Sequence, residues 1–186
     1  MNEQSVLEAL MNQTIVRKAK WFWPWQDAQE ETWLEEMSKK GSHLKRANIM
    51  AQYDFIQGGP QDFVYRLDFR DSLKRKNKEE YIRLFNDAGW EYLGEMGGWQ
   101  YFRKPVQPGD DTEIFTDPDT KIQKYKRYLS YLSIFYASDL ILLIALLDLA
   151  PGWFLWLFIA IFSLFTVFVL ATWIKITRRI NELRSL

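Results

Sequence analysis

"YIRLFNDAGWEYLGEMGGWQYFRKP", residues 81–105, carries a helix end, a tight turn and two strands in one short run. Tyr81, Ile82 and Phe85 recur at i, i+1 and i+4, the spacing of one helical face. Gly89 suits the left-handed residue that closes a helix, and Gly97-Gly98 suits a primed hairpin turn. The stretch therefore predicts a helix ending at Gly89 and a hairpin from Gly89 to about Arg103.

Shifting the chain by 48 residues lays Trp33 on Tyr81, Leu34 on Ile82, Met37 on Phe85, Gly41 on Gly89, Leu44 on Tyr92 and Tyr53 on Tyr101. A whole supersecondary unit is thus expected twice. Asp27 with Glu30, and Asn77 with Glu80, have capping-box spacing ahead of the two helices. In front of the second helix, "FVYRLDF" (63–69) alternates at period two, with Phe63, Tyr65, Leu67 and Phe69 on one face. The shift carries that face onto Ile15, Arg17, Ala19 and Trp21 of "IVRKAKWFW" (15–23). Trp21 and Trp23 are accordingly expected in the core, with Phe22 on the other face and Pro24 ending the strand. The first hairpin is expected from Gly41 to about Phe55. The fold class is α+β: a tandem strand-helix-strand-strand repeat forming a mostly antiparallel sheet with both helices on one face, followed by a two-helix transmembrane hairpin.

Charge is distributed unevenly. Residues 128–174 hold no Lys or Arg and only two acidic residues, Asp139 and Asp148. Within them, "YLSYLSIFYASDLILLIALLDLA" (128–150) and "WFLWLFIAIFSLFTVFVLATWI" (153–174) each exceed the roughly 20 helical residues that cross a hydrocarbon core. The divisions read from sequence are an extension over 1–14, a soluble domain over 15–105, a linker and basic juxtamembrane helix over 106–127, the two spans, and a basic tail over 175–186. Asp117 and Pro118 are expected to start the helix that leads into the first span. Lys121, Lys124, Lys126 and Arg127 precede the first span, and Lys175, Arg178, Arg179 and Arg184 follow the second, so a multi-pass protein of the cell membrane with both termini cytoplasmic is expected. "MNEQSVLEALMNQTIVRKAK" lacks the pattern of a cleaved secretion signal, and the absence of cysteine fits a reducing compartment.

Asp139 falls midway along the first span, where an ionised carboxylate costs about 2.5–3.5 kcal/mol. It needs a partner or a proton, and Ser163 and Thr166 on the second span lie at matching depth.

"EETWLEEMSKKGSHL" (30–44), "FVYRLDF", the 81–105 run, and "EIFTD" (113–117) before a basic helix resemble the bacterial family catalogued as domain of unknown function 2812. The resemblance covers roughly residues 15–127, and GWEY to WQYFRKP is its most specific part. It implies C-terminal membrane spans and a gene encoded beside a PadR-type transcriptional regulator, and no catalytic residue. The strand-helix-strand-strand order, twice over, is also similar to the tandem units of GyrI-like effector-binding domains, which hold lipophilic cations in a groove.

By analogy, an aromatic groove with acidic groups is expected from Trp90, Trp99, Tyr101, Glu91 and Glu95. Catalysis has few parts to draw on: His43 is the only histidine, and there is no phosphate loop, cysteine nucleophile or metal-ligand spacing. No catalytic residue, metal or cofactor is expected. The run "KRKNK" (74–78) is suited to anionic head groups. Expected partners are the lipid bilayer and a regulator protein, a transporter or a second copy. The near-neutral domain does not point to nucleic acid. The function expected is a membrane-anchored sensing or regulatory module, with an accessory subunit of a membrane transporter as the alternative.

Overall fold

The computed structural model describes residues 14–48, 50–70, 75–107, 109, 112–114, 118–146 and 152–185, the side chains of 75, 76 and 118 excepted. Two compact units are present, Met1–Ile114 and Phe115–Leu186. The first holds β1 (Ile15–Ala19), α1 (Asp27–Lys39), β2 (Ser42–Asn48), β3 (Gln52–Gln57), β4 (Phe63–Phe69), α2 (Arg75–Asp87), β5 (Glu91–Met96) and β6 (Trp99–Pro105). The second holds α3 (Pro118–Leu146) and α4 (Gly152–Arg184).

Both halves of the first unit have the expected order of strand, helix, strand, strand, and in both the last strand is central: β1-β3-β2 and β4-β6-β5, all antiparallel. Phe55, paired with Val16 and Leu44, corresponds to Phe102, paired with Arg66 and Tyr92. Trp33 of α1 packs edge-on to Phe55, and Tyr81 and Phe85 of α2 pack on Phe102. Fully burying one such aromatic contributes about 1.5–3 kcal/mol.

The strands do not join into one sheet, and the helices do not share one face. Neighbouring strand residues point to opposite faces, so Tyr101 lies on the side of β6 away from Phe102 and α2. There it meets α1 through Glu30. Glu31 and Glu35 of α1 accept the backbone N–H groups of Leu67 (2.8 Å) and Tyr65 (3.3 Å) on β4, an edge strand of its sheet. α1 is thus held between the two sheets, α2 covers the far face of the second, and β2 and β5 meet along one side.

That layering overturns the core assignment of the tryptophans. β1 stops at Ala19, and Trp21 and Trp23 are 62% and 41% exposed, whereas Phe22 turns inward onto Trp33 and Tyr53. The face carrying Tyr65, Leu67 and Phe69 is buried because α1 lies against the second sheet. The corresponding face of the first sheet, with Ile15, Arg17 and Ala19, is exposed. The period-two parity is correct, but the two sheets differ in what covers them.

The helix starts are also displaced. α1 begins at Asp27 with Gln26 at the cap and no side-chain capping bond, so Glu30 is released to face inward. α2 begins at Arg75, ahead of Asn77. The ends conform to expectation: Gly41 and Gly89 have φ +78° and +83°, and Gly97 and Gly98, at +56° and +87°, make the two-residue turn between β5 and β6. Because this turn is one residue shorter than the connection over 49–51, Tyr53 corresponds in the ladder to Gln100 rather than to Tyr101.

In the second unit, α3 starts at Pro118 and runs unbroken through the basic segment and the first apolar stretch; Asp117 lies outside the described residues. The helices pack antiparallel, with Tyr136 stacked on Phe162 near one end and Arg179 bonded to Tyr125 near the other. Buried Ile122, Tyr125, Leu129 and Leu132 on α3, and Val169, Thr172, Ile176, Ile180 and Leu183 on α4, recur at spacings of three and four. Both helices are long and apolar enough to cross a membrane, and only 11% and 6% of their most apolar windows are buried. A helix from a soluble core would bury such surface.

Candidate functional site

α1 places Glu30, Leu34 and Met37 on one inward stripe at spacings of four and three, so a carboxylate continues a line of core residues. The Tyr53 hydroxyl from the first sheet (2.9 Å) and the Tyr101 hydroxyl from the second (2.6 Å) both donate to Glu30 Oε1. One oxygen therefore joins α1 to both sheets. Burial raises the carboxyl above its usual range; the two phenol donors oppose the rise, and the nearby Asp27 charge adds to it. Burial, reinforced by the Glu30 charge, also holds both phenols in their neutral donor form.

Where β2 and β5 meet, each strand carries a β-bulge, between Leu44 and Arg46 and between Tyr92 and Gly94. The extra residues, Lys45 and Leu93, stand 48 positions apart and open on one cleft of about 430 Å³. Ile15, Arg46, Ala47, Asp54, Gly94 and Glu95 complete its lining. Arg17 Nε (2.7 Å) and Arg46 Nη2 (2.8 Å) bracket the buried Asp54 and hold its carboxyl down at about 2. Lys78 Nζ, 2.6 Å from Glu95, lowers that carboxyl too. Lys45 has no polar partner among the described residues. The cleft thus holds two compensated carboxylates and one uncompensated cation.

The aromatic groove expected from sequence is not assembled. Trp90, Trp99 and Tyr101 are buried in the core. Glu91 is tied to Arg103 through both carboxylate oxygens, at 2.7 and 3.0 Å. The bulge at Leu93 sends Glu91 and Glu95, four residues apart, to opposite faces of the sheet: Glu91 pairs with Arg103 and Glu95 with Gln100. Only Glu95 of the five lines the cleft. His43 is engaged at both ring nitrogens, Nε2 donating to the Gly59 carbonyl (2.9 Å) and Nδ1 meeting the Ser38 hydroxyl (2.7 Å). Of the basic run, Lys74 lies outside the described residues, and Lys78 is bonded to Glu95 and sits over Tyr92. Among the described residues no cluster of acidic or histidine side chains has the arrangement of a metal site.

On the long helices, Ser163 bonds the Ile159 carbonyl of its own helix, and Thr166 bonds the Phe162 carbonyl and lies 3.3 Å from the Tyr136 hydroxyl. Neither bonds Asp139, one turn beyond Tyr136, and no other polar partner reaches Asp139 among the described residues.

Comparison with known proteins places these features in a family. The family described as protein of unknown function (DUF2812) matches residues 26–137. The chain belongs to this family. The DUF2812 match takes in α1, both sheets from β2 onward, and α3 as far as residue 137, so Glu30 and the cleft residues Lys45, Asp54, Leu93 and Glu95 all fall within it. No curated protein and no solved structure matches the chain.

Proposed function

We propose that this DUF2812 protein is a membrane-anchored sensing or regulatory module, whose soluble unit is held at the cytoplasmic face by α3 and α4 and binds a small anionic or zwitterionic molecule in the cleft between β2 and β5. The observation that carries this reading is the pair of corresponding bulges opening on one cleft with Lys45 uncompensated. Bulges re-aim side chains and are enriched beside functional sites. A ligand there touches both sheets, which are also linked through the Glu30 oxygen, so binding has a route to shift one sheet against the other. The lipophilic cation expected from sequence suits this geometry less well: the aromatic candidates are buried and the carboxylates already paired. The cytoplasmic orientation is supported by the basic residues at both outer ends of the hairpin. No catalytic residue is assigned.

Native mass spectrometry of the detergent-solubilised full chain, equilibrated with a cell extract, tests the cleft. A bound small molecule that is lost in Lys45→Glu supports the proposal. A molecule retained by that variant, or none bound by either protein, contradicts it.

Asp139 favours a second reading, an accessory subunit of a transporter, because a carboxylate midway along an apolar helix without a partner among the described residues suits a polar group on a neighbouring helix. Pull-down from solubilised membranes separates the two: a regulator co-purifying supports the first, a transporter the second.

A further inference from the structure

We infer, on the reading of α3 and α4 as membrane spans, that Trp21 and Trp23 form a second membrane contact, seating the loop between β1 and α1 in the head-group interface of an anionic bilayer. Trp21 and Trp23 meet edge-on with ring centroids 5.7 Å apart, and Trp23 stacks on Trp25 at 5.4 Å with the planes 2° from parallel. The exposure is selective. Phe22, between them, packs inward on Trp33 and Tyr53, so the loop turns its one purely hydrocarbon ring toward the domain and presents indoles. An indole joins a large apolar face to an N–H donor, which favours the boundary between head groups and acyl chains over either bulk phase.

Charge selects the bilayer over an ordinary protein surface. Residues 18–26, "KAKWFWPWQ", contain two lysines and no carboxylate. Lys18 and Lys20 are both exposed, and Lys20 Nζ lies 5.0 Å from the Phe22 ring and 4.9 Å from the Trp33 ring. Exposed cations that immediately precede the tryptophans in the chain are attracted to anionic head groups. A chain already anchored by two spans meets that surface in an intramolecular step, so a patch of this size suffices where a free domain would need more. This contact would fix the soluble unit's orientation on the membrane.

The chain has no cysteine, so single cysteines can be placed at will. Trp21→Cys and, as a reference on the exposed face of α4, Leu164→Cys carry an environment-sensitive nitrobenzoxadiazole label in full-length protein reconstituted into phosphatidylcholine–phosphatidylglycerol vesicles. Ala28→Cys, exposed at the start of α1, leaves every tryptophan in place and serves if Trp21→Cys fails to fold. Brominated lipid is expected to quench the loop label to an extent comparable with the Leu164 label, with the loss shrinking as phosphatidylglycerol is withdrawn. Quenching of the loop label by aqueous iodide alone overturns the inference. Protection from both quenchers also overturns it and indicates a protein partner or second copy on the loop. If the Leu164 label itself escapes brominated lipid, the membrane-span reading has failed, and that result is distinct from either loop outcome.

Discussion

Glu30→Leu removes the acceptor shared by Tyr53 and Tyr101 and leaves two buried hydroxyls without it. Each orphaned donor costs about 1–3 kcal/mol, so the gross loss is about 2–6 kcal/mol. Two terms offset it: the leucine adds roughly 1.5–3 kcal/mol of apolar burial, and a carboxylate whose charged form was disfavoured by burial is gone. The net expectation is a loss of about 2 kcal/mol, which lowers the Tm of a domain this size by roughly 8–16 °C. Glu30→Gln keeps an acceptor oxygen and should stay within about 1 kcal/mol of the parent. Its pH profile should differ in a defined direction. A carboxyl raised in the folded state contributes stability that is complete below its unfolded value of 4.5 and is lost as pH rises through the folded pKa. The glutamine variant lacks that slope, so it should gain on the parent as pH rises above 4.5. Thermal unfolding of the solubilised full chain, followed by near-ultraviolet circular dichroism, gives both readings. A leucine variant as stable as the parent, or a glutamine variant with an unchanged pH slope, would refute the role given to this oxygen.

Gly98→Ala should cost about 1–3 kcal/mol in the same assay, because φ is +87° and an added Cβ would stand 2.8 Å from the Phe69 ring; an unchanged Tm contradicts the turn assignment. Asp54 titrates in the opposite sense to Glu30: held down by Arg17 and Arg46, it contributes stability above about 3.8 that is lost as pH falls toward about 2. Asp54→Asn should therefore flatten the acid limb of the stability curve, and an acid limb identical to the parent's argues against the arginine bracket. Asp139→Asn should leave membrane abundance unchanged; if complex formation is lost at normal abundance, the carboxylate meets a cationic or proton-carrying partner, as the accessory reading requires.

Much of the fold was legible because glycine and hydropathy act locally. Gly41, Gly89 and the Gly97-Gly98 turn stand where positive φ is needed, and the segments without Lys or Arg that form the apolar parts of α3 and α4 are plain from composition. What failed was long-range. Nothing local to Trp21 says that β1 lacks the α1 cover which β4 receives, and nothing local to Glu91 and Glu95 announces the bulge at Leu93 that separates them. Glu30 was legible in part, since a carboxylate four residues before Leu34 on the same stripe sits where an apolar residue belongs. Its two tyrosine partners come from different sheets, and no spacing rule joins them.

The central claim is that two spans hold the soluble unit on the cytoplasmic side of a membrane, and cysteine accessibility in intact cells tests it most directly. Gln61, exposed in the first unit, and Gly152, exposed at the start of α4, are replaced singly by cysteine in a chain that has none of its own. With an impermeant maleimide applied from outside, Gly152→Cys is expected to label and Gln61→Cys to label only after the cells are opened. Labelling of Gln61→Cys in intact cells, or protection of Gly152→Cys there, would contradict the account.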